Sequence, residues 1–242
     1  MVEIIPAILP EDFSDLEEKL SIVAGFVPLV HIDITNETLT PKANWPYSPN
    51  GEAGGGVDTD FLKIVNEVEG FPFWEETSFE AHLMVRNPKE IIEDWILAGA
   101  ERLVIHLESF ENDSELSRTL AILKNRFDKN SSYLGIEVGL AVNMETNMEK
   151  VYSHVLEADF IHLMSIDKIG EQGQKFNLKI FDRIKALKEK FPETIIAVDG
   201  GINLDNAHEL IEVGASRLVI GSAIFTASEP EEVLQDFQEL TS

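Results

Sequence analysis

Apolar residues in this chain fall into short runs rich in Ile and Val, over residues 3–9, 29–34, 79–84, 102–107, 134–142, 160–165, 195–199 and 217–221. Around them lie longer segments whose apolar positions recur at helical spacing, at about 11–24, 59–69, 88–98, 113–127, 146–156, 177–190, 204–213 and 230–240. The first kind predicts strands and the second helices, and their alternation signals a parallel sheet built from βαβ units. Eight strand-then-helix units in 242 residues predict a (β/α)8 TIM barrel of the α/β class, because an open doubly wound sheet would usually have fewer strands. A barrel of this size runs as one domain, so residues 1–242 are read as a single unit.

Local signals punctuate this pattern. Asn87-Pro88 predicts a capping residue ahead of a proline in the first helical position. Gly99 and Gly214 stand just past periodic helices, where a left-handed backbone is needed. Segment 42–58, with Trp45, Pro46, Pro49 and Gly54-Gly55-Gly56, has no regular period and is long for a strand-to-helix connection. It is read as a loop at the catalytic end, either a lid that shapes the substrate site or a tolerated insertion. A second irregular stretch, 70–77, enters the third strand from the opposite end and is read as structural.

Charge narrows the partners. The 44 Asp and Glu against 19 Lys and Arg leave a formal charge of −25, which disfavours nucleic acid and anionic membrane, since both are bound through clustered cations. The charge is spread among regular apolar segments, as on a solubilising surface. Cysteine is absent, which excludes disulfides, zinc-thiolate clusters, Fe–S centres and cysteine nucleophiles. Any metal must therefore be held by His and carboxylate. The start, Met1-Val2-Glu3-Ile4-Ile5-Pro6, lacks the pattern of a signal peptide, and no run approaches the roughly 18 apolar residues of a membrane span. A cytoplasmic protein is expected.

In a TIM barrel the carboxyl ends of the strands converge on the active-site mouth. The second strand carries His31-Ile32-Asp33 there, the third His82-Leu83-Met84, the fourth His106-Leu107-Glu108, the sixth Met164-Ser165, the seventh Asp199-Gly200-Gly201 and the eighth Gly221-Ser222. Residues two apart on a strand share a face, so His31 and Asp33 can reach one metal. With His82 and Asp199 they make two imidazoles and two carboxylates, a set suited to Zn²⁺, Fe²⁺, Mn²⁺ or Co²⁺. Any one of these histidines alone would read as a hydrogen-bonded core residue. His106 is assigned a supporting or packing role. His154 and His208 fall in predicted helices and His162 in mid-strand, so these three of the six histidines give no such signal.

Along its whole length the sequence resembles the ribulose-phosphate 3-epimerases and their relatives the allulose-phosphate 3-epimerases. The resemblance rests on Pro6-Ala7-Ile8-Leu9 with Asp12-Phe13, His31-Ile32-Asp33, Ala81-His82-Leu83-Met84, Gly139-Leu140-Ala141-Val142-Asn143 and Met164-Ser165, followed by Gly173-Gln174 with Phe176, Val198-Asp199-Gly200-Gly201-Ile202 and Gly221-Ser222-Ala223-Ile224-Phe225. It implies one divalent metal held by His31, Asp33, His82 and Asp199, with Asp33 and Asp199 as the acid–base pair. Inverting a carbon beside a ketone needs a proton removed from one face and another delivered to the other, which a single base would not do. The metal would stabilise the enediolate.

The resemblance further implies that Met84 and Met164 pack near the reacting carbons, beside His82. Gly200, Gly201, Gly221 and Ser222, with Gly170 and Gly173 of the loop after the sixth strand, would surround the sugar and its phosphate. It implies a homo-oligomer of carbohydrate metabolism, with D-ribulose 5-phosphate to D-xylulose 5-phosphate, the pentose phosphate interconversion, as the expected reaction. The chain departs from the family where substrate is touched. Ala7 replaces a Ser, Thr35-Asn36-Glu37 replaces Met-Asp-Gly, Met144 replaces a Pro, and the 167–174 loop is poorer in glycine and carries Glu171. A hexulose 6-phosphate, an unphosphorylated ketose or a non-catalytic sugar-phosphate-binding barrel are the alternatives.

Overall fold

In the computed structural model, residues 2–47, 56–126 and 135–241 are described. The strands are β1 (Glu3–Ile8), β2 (Leu29–Thr35), β3 (Ser78–Met84), β4 (Arg102–His106), β5 (Glu137–Val142), β6 (Phe160–Met164), β7 (Ile195–Asp199) and β8 (Arg217–Ile220). Each pairs in parallel with the next and β8 returns to β1, closing the TIM barrel expected from the alternation. The helices are α1 (Phe13–Val23), α2 (Thr59–Val65), α3 (Ile92–Leu97), α4 (Asp113–Arg126), α5 (Met148–Tyr152), α6 (Ile180–Lys190), α7 (Leu204–Glu212), α8 (Ser222–Phe225) and α9 (Pro230–Glu239). Residues 48–55 of the long loop, residue 127 at the end of the fourth predicted helix and residue 134 at the start of the fifth predicted strand lie outside the described residues. Among the described residues no helix is long and apolar enough to cross a membrane.

Two boundaries differ from the sequence expectation for visible reasons. Asn87 does not cap a helix over 88–98: its backbone is left-handed, at φ 52°, and its side chain makes no cap bond. Pro88 opens a 3₁₀ turn over Pro88–Glu90, and α3 begins only at Ile92. The second helix ends at Val65 rather than near 69, because Glu67 turns left-handed and the Val68 N–H closes on the Lys63 carbonyl at 2.9 Å. Gly99 and Gly214 have φ of 100° and 111°, as their C-terminal positions require. After each, the next N–H reaches back to close the helix, Ala100 to Trp95 at 3.1 Å and Ala215 to Leu210 at 2.9 Å.

Strand alternation sorts the side chains into two environments. Residues such as Ile32, Ile34, Leu83, Leu103 and Val198 face outward into the core shared with the helices. Among the described residues the apolar part of the barrel interior is two small clusters, Ile5, Ala7, Leu29 and Val219 in one and Val104, Ala141, Phe160 and Ala197 in the other. Charge closes its amino-terminal base. Arg102 forms a bidentate pair with Glu3, at 3.0 and 3.1 Å, and its Nε lies 2.7 Å from Glu137. Arg217 bridges Glu3 and Glu137 at 3.0 Å each and lies over the Phe160 ring. Glu80, 1% exposed, stands just above this base, 3.5 Å from Arg102.

Candidate active site

Inward-facing positions of β2, β3, β6 and β7 bring His31, Asp33, His82, His162 and Asp199 together below the mouth. His31 Nε2 lies 3.2 Å from Asp33 Oδ1 and 3.0 Å from His82 Nδ1. His82 Nδ1 is 2.9 Å from Asp33 Oδ1 and 3.7 Å from Asp199 Oδ2. The four residues singled out in the sequence therefore meet. His162, which gave no signal there, meets them too, with Nε2 3.2 Å from Asp199 Oδ2 and its ring stacked on that of His31. His162 is two residues from Met164 and shares its inward face, one layer deeper, a spacing it has in common with any core residue of the strand.

Further carboxylates hold the imidazoles. His31 Nδ1–H donates to Glu80 Oε1 at 2.6 Å, leaving Nε2 turned to the centre. His82 Nε2 contacts His106 Nε2 at 2.9 Å, and His106 Nδ1 contacts Glu108 Oε2 at 3.1 Å. If His106 Nδ1–H donates to Glu108, its Nε2 accepts from His82, and His82 Nδ1 is left as a lone-pair donor facing both aspartates. Such carboxylate–histidine pairs orient metal-binding imidazoles.

The electrostatics follow from this packing. Burial pushes both imidazoles down in pKa, but bonds to Asp33 and Glu80 raise His31 well above its usual value. For His82 burial prevails over its bond to Asp33, and the neighbouring His162, His31 and His106 add to it, so this ring sits well below the usual value. Burial would raise Asp33, yet bonds from His31 and His82 hold it well below the carboxylate range.

Burial also works to raise Glu108, but the His106 bond, the Thr146 hydroxyl and the Asn143 N–H outweigh it and hold the carboxyl at about 2. A depressed folded pKa stabilises the fold above the unfolded value near 4.5, and that stability is lost as pH falls toward about 2. Glu108→Gln should therefore flatten the acid limb of a urea-unfolding series, removing on the order of 2–3 kcal/mol of pH dependence. An unchanged acid limb would show that this carboxyl is not depressed by its neighbours.

Asp33 and Asp199 also line the cavity at the mouth, reached from β2 and β7 on nearly opposite walls. Met84, Met164, Gly170, Gly173, Gly200, Gly201, Gly221 and Ser222 line it with them. Gly201 is at φ 66°, and a Cβ there would come within 2.8 Å of the Phe176 backbone N, so only glycine fits. Across the cavity Gln172 Nε2–H donates to the Ala7 carbonyl at 3.2 Å, fastening the altered loop to β1. Glu171 also lines the cavity, but no Lys or Arg does among the described residues. Lys168 and Lys175, the nearest cations in sequence, are exposed.

The described start of the long loop is fixed rather than free. Asn44 Nδ2 donates to the Asp33 carbonyl at 2.7 Å while its Oδ1 accepts from Thr35 N–H at 2.8 Å. Trp45, 1% exposed, packs against Phe13, Phe61 and Trp95. This anchoring clamps the end of β2, and so the backbone that carries Asp33.

Comparison with known proteins gives the family. Residues 3–225 match the ribulose-phosphate 3 epimerase family. The chain belongs to that family. It is an isomerase-class enzyme, a sugar-phosphate epimerase of carbohydrate metabolism. It is 28% identical over 240 residues to the ribulose-phosphate 3-epimerase of Aquifex aeolicus, covering 97% of this chain and 95% of that one. With the Bacillus subtilis ribulose-phosphate 3-epimerase it shares 27% identity over 98% of this chain and 99% of that one. The 3-hexulose-6-phosphate synthase of Salmonella typhimurium superimposes with a TM-score of 0.65 at 15% identity, covering 98% of this epimerase and 97% of that chain. The KGPDC of Streptococcus mutans gives a TM-score of 0.67 at 11% identity, over 99% and 96%. These two likenesses show the fold alone.

Proposed function

We propose that this epimerase inverts carbon 3 of a ketose phosphate, interconverting D-ribulose 5-phosphate and D-xylulose 5-phosphate, with one divalent metal ion held by His31, Asp33, His82 and Asp199. The observation that carries the reading is that two carboxylates on nearly opposite walls line one cavity and converge on the same imidazole, His82 Nδ1, at 2.9 and 3.7 Å. The donor set fits an ion: ligands about 2.1 Å from one metal stand about 3 Å apart when adjacent and about 4.2 Å when opposite. The separations between these imidazole nitrogens, and from them to the carboxylate oxygens, run from 2.9 to 3.9 Å. When bound, the ion supplies Lewis-acid stabilisation of charge developing beside the carbonyl.

The chain's own groups do the proton chemistry. One carboxylate takes the proton from carbon 3 and the other returns one to the opposite face, which inverts the centre. Met84 and Met164, each 2% exposed, keep water from the reacting carbons. Backbone N–H groups around Gly201 and Ser222 receive the phosphate, and the family resemblance supports a homo-oligomer. A second reading, a different ketose, is favoured by Ala7 and Glu171 in the cavity lining. The test is a panel of D-ribulose 5-phosphate, a hexulose 6-phosphate and an unphosphorylated ketose, with added Zn²⁺, Fe²⁺, Mn²⁺ or Co²⁺. The pentulose phosphate is expected to have the highest kcat/KM. A higher value for either other sugar moves the assignment to it. No turnover of any sugar with any metal overturns the proposal in favour of a non-catalytic sugar-phosphate-binding barrel.

A further inference from the structure

We propose that His162 is itself a metal ligand, so that β6 adds a third imidazole to those of His31 and His82. The inference rests on the metal reading above and goes beyond its four ligands. One donor atom from each of His31, His82, His162 and Asp199 lies within 4.8 Å of every other, and all four residues are buried. Opposite ligands on one ion stand about 4.2 Å apart, so shifts of roughly half an ångström bring these four donors onto one ion.

Its neighbours on the adjacent strands are small and apolar. Beside it in the sheet, β5 and β7 present Ala141 and Ala197 to the interior. A leucine at 162 would fill that space without a polar atom. His162 instead leaves Nδ1 buried and without a hydrogen-bond partner while aiming Nε2 at Asp199. Burying an unpaired ring nitrogen is costly, and coordination at Nε2 offsets it more than the one 3.2 Å contact with Asp199 does. Three imidazoles make the centre richer in nitrogen than the four-ligand set, which favours Zn²⁺ and Co²⁺ over Mn²⁺.

The test is proton NMR of the full chain loaded with Co²⁺ and carrying ¹⁵N-labelled histidine. Each coordinated imidazole retains one ring N–H, which the paramagnetic ion shifts far outside the normal range. Three such resonances are expected in the wild type and two in His162→Leu. Two in the wild type overturn the proposal, and this count decides even where the variant fails to fold. If the wild type takes up no Co²⁺, the metal reading itself fails, a result distinct from a count of two. As an independent arm, the ratio of Zn²⁺ to Mn²⁺ affinity, from chelator competition, is expected to fall at least tenfold in His162→Leu. An unchanged ratio also overturns the assignment.

Discussion

Asp33→Asn and Asp199→Asn are each expected to lower epimerisation by about 10²–10⁴-fold, the usual contribution of a positioned acid or base. The amide keeps the shape of the carboxylate but cannot take up a proton, so the barrel should persist while inversion fails. Each variant leaves one carboxylate on one wall, and a single base returns the proton to the face it came from. Loss of inversion should be accompanied by loss of carbon-3 proton exchange with solvent for at least one epimer. Both residues also belong to the proposed metal site, so bound metal is measured in parallel. A variant that folds, holds its metal and still inverts carbon 3 at the wild-type rate would remove that residue from the acid–base pair.

Glu80→Ala is expected to destabilise the barrel by about 3–5 kcal/mol, because it strips a buried charge from partners that stay behind. Glu80 is 1% exposed, accepts from His31 at 2.6 Å and lies 3.5 Å from Arg102. Burial would push its carboxyl up, but the His31 bond and the charges of His31, His162 and Arg102 hold it below the usual range, so it is ionised at neutral pH. For a chain of this length each kcal/mol corresponds to about 2–4 °C in Tm, so a fall of roughly 6–20 °C is expected. Glu80→Gln, which can still accept from His31, should lose less. Metal affinity should fall about 10–100-fold in Glu80→Ala, because His31 loses the group that orients it. A loss below about 1 kcal/mol in urea unfolding would show that the base network closes without Glu80.

The proposed metal ligands were legible because their signal is local. A strand exposes alternate residues to one side, so His31 with Asp33, and His82 with Met84, are fixed relative to each other by spacing alone. That they sit at carboxyl ends follows from where each apolar run stops. His162 escaped for the same reason: in mid-strand its alternation is identical to that of a core residue. Glu80 escaped too, since its use depends on Arg102 of the neighbouring strand and His31 of another. Asn87 misled, because a capping residue ahead of proline is a local preference that the surrounding chain overrode with a left-handed turn.

By itself the sequence determined the strand and helix alternation, hence the TIM barrel, and which wall each of His31, Asp33, His82 and Asp199 occupies. Periodicity and strand ends are properties of neighbouring residues, and local sterics enforce them. Only the tertiary structure decided which side chains meet across the interior. His31 on β2 stacks on His162 of β6 at 5.4 Å although those strands are not neighbours. That contact is set by the closure and stagger of all eight strands together, a geometric constraint that no single segment of the chain encodes.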